Sequence, residues 1–235
     1  MKPKYKRILL KLSGEVLAGE QGHGFDFSVI STVTDVIAKC AESGIQIGIV
    51  VGGGNFWRGR SSGSMNRTKA DHIGMLATVM NSICLSDALC RAGVKSKVLS
   101  SVEMSPIAKQ YSYDLADEYL SDGNVVIFGG GTGSPYFSTD TAASLKAVEI
   151  GADVLLKATN VDGVYNKDPH KFGDAVKFDT LSHEEIVAKG YGVMDSTAAA
   201  MCRDNNLPVL VFNLTDPENI IRAVSGENIG TLIID

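Results

Sequence analysis

Short apolar runs rich in β-branched residues alternate along the chain with longer segments of helical period. The runs Arg7 to Leu12, Ile45 to Val51, Ser96 to Leu99, Asn124 to Phe128, Asp153 to Leu156 and Pro208 to Phe212 predict strands. Several are almost continuously apolar, the pattern of a strand covered on both faces. Between them, Ser28 to Ser43, Asn66 to Ala92, Ser138 to Ile150 and Asp195 to Asn205 carry helical periodicity behind helix-starting residues. A shorter helix is predicted near Asp216-Pro217, and Thr231 to Ile234 predicts a last edge strand. Such alternation is built by parallel strands joined through helical crossovers, so the expected class is α/β.

The stretch from Asn160 to Ser182 breaks this rhythm, because its Asp-Gly, Asp-Pro and Phe-Gly pairs suit turns and a small hairpin. No repeat, low-complexity tract or clear linker divides the chain. It reads as one domain over 1–235, with provisional lobes at 1–151 and 152–235 and a sheet running through both.

Composition narrows the class. At 235 residues the chain can bury a full core, and 44% apolar with 21% charged residues is a globular balance. A net charge of −5 disfavours polynucleotide binding. Cys40, Cys84, Cys90 and Cys202 form no CxxC pair and sit in apolar segments, as reduced core residues do. His23, His72, His170 and His183 lack zinc-like spacing, so no protein-built transition-metal site is expected. The start, MKPKYKRILLKLSGE, ends its short apolar run in a polar Ser-Gly-Glu and reads as a first strand rather than a cleaved leader. No stretch is expected to offer the roughly 18 uncharged apolar residues of a membrane span. The expected compartment is the cytoplasm.

In open α/β sheets ligands bind beyond the carboxyl ends of the strands. Three such ends are rich in glycine: Lys11-Leu12-Ser13-Gly14-Glu15, Gly52-Gly53-Gly54-Asn55, and Gly129 through Pro135. Each cluster alone suits a tight turn equally well. Three on one edge suit phosphate, since glycine lets backbone N–H groups approach anionic oxygens. Neither GxxxxGK[ST] nor GxGxxG follows the first strand, which weakens both common nucleotide folds. A strand-end lysine is usually solvated, but Lys11 beside Ser13-Gly14 is placed to neutralise a transferring phosphoryl group. Arg58 fits either a phosphate contact or a polar surface loop. Asp140 fits a helix-start acid, or a group that holds Lys11 in position without taking a proton. The role of Asp71 is not legible from spacing.

Six motifs in order then carry a resemblance: LLKLSGE at 9–15, VVGGGNFWRG at 50–59, DHIGMLATVMN at 71–81, GGTGSPYFSTD at 130–140, LKATNVDGVYNKDP at 156–169 and VMD at 193–195. Over nearly its whole length the chain resembles the bacterial uridylate kinases of the amino-acid-kinase superfamily. The resemblance implies a three-layer αβα sandwich around a mostly parallel sheet, and transfer of the γ-phosphoryl group of ATP to UMP with Mg²⁺ bridging phosphates. It implies Lys11 and Asp140 as the catalytic pair. Lys11, Leu12, Ser13, Gly14, Gly54, Arg58, Thr159, Tyr165 and Asp168 would bind ATP. Gly53, Asp71, Thr132, Gly133, Ser134, Pro135, Tyr136, Phe137, Ser138 and Thr139 would bind UMP, with Asp71 at the ribose.

Ser134 stands where the family commonly has asparagine, and one hydroxyl replaces an amide donor and acceptor, leaving the details of uracil recognition open. The resemblance further implies a homohexamer activated by GTP and inhibited by UTP. Gly19, Glu20, Gln21, Gly22, His23 and Gly24 fall where the GTP site lies, though a glycine-rich surface loop reads the same way. A kinase of carbamate, glutamate or aspartate in the same superfamily, and a non-catalytic pyrimidine-nucleotide sensor, are the competing readings. The acceptor loop opposes the first, and the retained Lys11 and Asp140 oppose the second.

Overall fold

The structure is a computed structural model that describes residues 2–58, 63–169 and 171–235. Gly59, the end of the second motif, and His170 lie outside the described residues. The strands are β1 (Arg7–Leu12), β2 (Gln46–Val51), β3 (Ser96–Ser100), β4 (Lys109–Gln110), β5 (Val125–Gly129), β6 (Val154–Thr159), β7 (Val164–Tyr165), β8 (Lys177–Phe178), β9 (Thr180–Leu181), β10 (Val209–Asn213) and β11 (Thr231–Ile233). The helices are α1 (Phe27–Glu42), α2 (Arg67–Arg91), α3 (Tyr113–Ser121), α4 (Thr139–Glu149), α5 (His183–Lys189), α6 (Ser196–Asp204) and α7 (Asn219–Val224). Among the described residues nine strands form one sheet in the order β4-β3-β5-β2-β1-β6-β10-β11-β9, parallel except where β10 meets β11. β7 and β8 make a separate antiparallel ribbon.

The near-continuous apolar strands are explained by two cores, one on each face of the sheet. Alternate residues of a strand point to opposite faces. Ile8, Leu10 and Leu12 therefore join α1, α2 and α7 in one core, with Ile30, Ile37, Leu85, Leu89 and Val224. Leu9 and Leu155 join α3, α4, α5 and α6 in the other, with Ala143, Ala147, Ala198 and Cys202. The three layers follow from that division. The same alternation puts Lys11, two residues after Leu9, on the face that α4 covers. Each fully buried Leu or Ile contributes roughly 1.5–3 kcal/mol by leaving water, so the central strands are held from both sides.

Helix starts follow their caps. The Asp26 side chain accepts the backbone N–H of Ser28 and Val29, and Ser138 accepts those of Asp140 and Thr141. Predicted elements and observed ones differ by a residue or two at most ends. The last helix starts at Asn219 rather than at Asp216-Pro217. The pattern missed α3, α5, the two-residue β4 and β9, and a 3-10 segment at Gly14–Gln21 that leads out of β1. The hairpin expected within 160–182 is the β7–β8 ribbon.

By length and composition α2 is apolar enough to cross a membrane, but its uncharged run, from His72 to Ser86, is shorter than a span needs, and part of its apolar surface is buried in the fold. Its apolar residues serve two surfaces: Ala77, Leu85 and Leu89 are buried, whereas Ile73, Leu76, Met80 and Ile83 form an exposed stripe at helical spacing.

Candidate active site

The carboxyl ends of β1, β2, β5 and β6 lie side by side in the sheet, and the glycine turns that leave them share one edge. Two of these turns touch. A Cβ on Gly14 would lie 2.3 Å from the carbonyl oxygen of Gly52 and 2.6 Å from Asn55 Oδ1, so only glycine lets the β1 and β2 turns meet. Gly53 is likewise pressed on α2, where a Cβ would lie 2.9 Å from the Gly74 carbonyl oxygen.

At the middle of this edge β1 and β6 pair in parallel with Leu9 opposite Leu155, Leu10 opposite Leu156 and Lys11 opposite Lys157. Both lysines therefore rise on the α4 face as neighbours. Asp140, in the first turn of α4, reaches back to both: Lys11 Nζ is 3.0 Å from one carboxylate oxygen and Lys157 Nζ 2.5 Å from the other. The lysine side chains are 14% and 7% exposed and that of Asp140 19%, so two ammonium groups share one carboxylate in a place with little water. Burial pushes the Asp140 carboxyl up, but the two lysines outweigh it and hold it below the ordinary carboxylate range. Burial, with the neighbouring Lys11 charge, pushes the Lys157 ammonium down to about 8, against the pull of Asp140. The cluster retains unbalanced positive charge, suited to an anion that arrives between the lysines.

Two cavities meet at Asp140, which lines both. One, of about 560 Å³, is bounded by Gly53, Gly54, Asp71, Thr132, Ser134 and Tyr136 through Thr139. The other, of about 800 Å³, is bounded by Lys157, Thr159, Tyr165 and Asp168. The expected acceptor residues are thus brought together in the first, except Gly133, which lines a smaller apolar recess, and Pro135, which lines neither. Of the expected donor residues, Thr159, Tyr165 and Asp168 share the second cavity, whereas Gly54 lines the first. The Leu12 side chain belongs to the core, which leaves only its backbone to face a ligand. Ser13 caps the 3-10 segment, and Arg58 meets the Glu15 carboxylate beside it. Gly19 through Gly24 line neither cavity; Gly24 is bonded to Asn55 behind the β2 turn.

Sequence reasoning assigned no role to Lys157 or Asp195. The first has a signal in hindsight, since Leu-Leu-Lys stands at 9–11 and again at 155–157. Asp195 caps α6 through the Ala198 N–H, and it also accepts from the Ser138 hydroxyl and, at 3.0 Å, from the Thr141 hydroxyl. Ser138 in turn caps α4, so Asp195 ties the start of α6 to the turn that carries Asp140.

Paired lysines on one carboxylate, set between two cavities at glycine-rich strand ends, suit the charge stabilisation that phosphoryl transfer needs and fit the site of an α/β phosphotransferase. The sequence profile of the Amino acid kinase family matches residues 6–213, and the chain belongs to that family. Its structure is similar to the UMP kinase from Bacillus anthracis, with a TM-score of 0.95, 36% identity and coverage of 98% of this chain and 96% of that one. The UMP kinase from Ureaplasma parvum gives a TM-score of 0.93 at 33% identity, covering 99% and 100%. The uridylate kinase from Archaeoglobus fulgidus gives 0.73 at 33% identity, covering 96% and 99%.

Proposed function

We propose that this protein is a UMP kinase, which moves the γ-phosphoryl group of ATP to the phosphate of UMP and yields UDP and ADP. The observation that carries this reading is Asp140 on the wall of both cavities with Lys11 and Lys157 in its grasp. The similar proteins, matched over nearly their full length, act on the same acceptor. In this reading ATP occupies the Thr159, Tyr165 and Asp168 side, and its phosphates approach the Ser13-Gly14 and Gly53-Gly54 turns and Arg58. UMP lies in the smaller cavity, its ribose at Asp71, its base and phosphate along 132–139. The attacking phosphate oxygen is already anionic and needs no base. Lys11 and Lys157 stabilise the charge on the transferring group, and Asp140 holds them in line without taking a proton. The chain is one domain whose lobes carry acceptor and donor.

Among the described residues no three His, Cys, Asp or Glu side chains converge as a metal-holding group, and both Asp140 oxygens face ammonium groups. That donor set fits Mg²⁺ held by the phosphates of ATP, where it neutralises phosphate charge. The exposed stripe Ile73, Leu76, Met80 and Ile83 supports self-association, and we assign the chain to a homohexamer. GTP activation at residues 19–24, UTP inhibition and a cytoplasmic setting belong to the same reading; light scattering with and without GTP or UTP tests assembly. An ADP-release assay with ATP and Mg²⁺ against UMP, CMP, carbamate, glutamate and aspartate tests the function. Turnover with UMP is expected, and its absence beside turnover of another acceptor sinks the reading.

A further inference from the structure

Arg67 has no part in the function described so far, yet it stands in an unusual position. It is the first residue of α2, where the partial positive charge of a helix start disfavours a cation, and the first turn of α2 carries no acidic residue. Its partner Asp71 lies one turn later, the less favourable order for an ion pair along a helix. With the Arg67 side chain 42% exposed, a pair of this kind contributes little to stability. Helix stability therefore does not explain the arrangement.

The geometry around the pair does. Arg67 Nε lies 2.8 Å from each Asp71 carboxylate oxygen. Its guanidinium carbon stands 5.3 Å from the centre of the Tyr136 ring. Tyr136 donates its backbone N–H to Asp71 Oδ2 at 2.8 Å, and its hydroxyl is 3.4 Å from that of Thr68. The first two turns of α2 thus grip the acceptor loop at both the backbone and the ring of one residue. That residue sits at φ +72°, a conformation a side chain bearing Cβ adopts only when its surroundings hold it there.

We propose that Arg67 is a positioning residue for the acceptor: it aims the Asp71 carboxylate into the smaller cavity and, through Asp71 and Tyr136, holds the 132–139 loop in the shape that receives the nucleotide. The inference rests on the UMP kinase reading. A carboxylate accepts about four hydrogen bonds. Arg67 and Tyr136 leave part of that capacity for the hydroxyls of a ribose. The groups that set the charge state of Asp71 are Arg67 and His72 from α2 and the Tyr136 N–H from the loop; burial pushes the carboxyl up, and these hold it below its ordinary range.

The test is steady-state kinetics of the full-length protein and its Arg67→Met variant, varying UMP and ATP separately from pH 4 to 9. The variant is expected to raise KM for UMP about tenfold, leaving KM for ATP and kcat within about twofold. The acidic limb of kcat/KM for UMP should move to higher pH, because Asp71 loses its guanidinium partner. Arg67→Lys keeps the charge and loses the fork and the ring contact, so it should restore the acidic limb but not KM; it also carries the test if the methionine variant does not fold. An unchanged KM for UMP with an unchanged acidic limb overturns the proposal, as does an equal rise in both KM values. If the wild-type protein shows no turnover of UMP at all, the functional reading falls and takes this inference with it.

Discussion

Asn55 and Asn81 face each other through paired amide hydrogen bonds, Asn55 Nδ2 to Asn81 Oδ1 at 3.0 Å and Asn81 Nδ2 to Asn55 Oδ1 at 2.7 Å. Both are buried, at 1% and 0% exposure. Asn81 also donates to the Gly52 carbonyl at 2.6 Å, and Asn55 to the Gly24 carbonyl at 2.9 Å. The pair fastens α2, the β2 glycine turn and the 22–24 loop together. Asn81→Leu removes this fastening and leaves the Gly52 carbonyl and Asn55 Oδ1 without the donor they share, each costing about 1–3 kcal/mol. We expect melting to fall by several degrees and kcat to fall as well, read from thermal unfolding and turnover at saturating nucleotide.

Lys157 gives the second prediction. Lys157→Met should lower kcat by about a hundredfold or more, the scale of losing one charge donor aimed at a transition state. In the wild type, kcat/KM for ATP should fall as pH rises through about 8, since the folded protein releases this proton there and the ammonium is the active form. Stability runs the other way. Between about 8 and the ordinary 10.5 the unfolded chain binds this proton and the folded one does not, so the contribution of Lys157 to stability rises with pH. A pH series of kinetics and melting curves separates the two trends.

The role given to Asp140 predicts a particular failure. Asp140→Asn keeps size and removes charge, so the two ammonium groups lose the carboxylate that lies between them. Asp140 raises the Lys157 pKa, and without it the alkaline limb of the activity profile should move to lower pH. Residual activity should therefore recover on acidification. A general base would predict the reverse, with activity lost at every pH.

Gly14→Ala tests the contact between turns. The added methyl would sit 2.3 Å from the Gly52 carbonyl oxygen, too close for either turn to keep its place. The expected cost is about 1–3 kcal/mol of overpacking. KM for ATP should rise together with a lower melting temperature, measured on the same preparation.

Much of this was readable from the chain. The apolar runs gave the strands because both faces of the sheet are covered, and the glycine turns at three strand ends share one edge of it. α3 and α5 were missed although their starts are marked: Ser112 accepts the Leu115 N–H, and Ser182 and Glu185 form a reciprocal cap. At nine and seven residues they are too short for periodicity to stand out. β9 was not legible for a different reason. It is two residues long and gains its identity only by pairing with β11, some fifty residues on. Lys157 was hidden in the same way, since nothing local says that β6 lies beside β1. Nothing local pairs Arg67 with Tyr136, since the two meet only where α2 passes the acceptor loop.

The register of β1 against β6 has a further consequence. In the proposed reading, the place of transfer is set by backbone hydrogen bonds near the centre of a nine-strand sheet, while the choice of acceptor hangs on a loop and the first two turns of one helix. Heredity can rewrite the latter without disturbing the former. A scaffold so divided can exchange one customer for another across generations and keep its workbench, which is how one architecture comes to serve many different substrates.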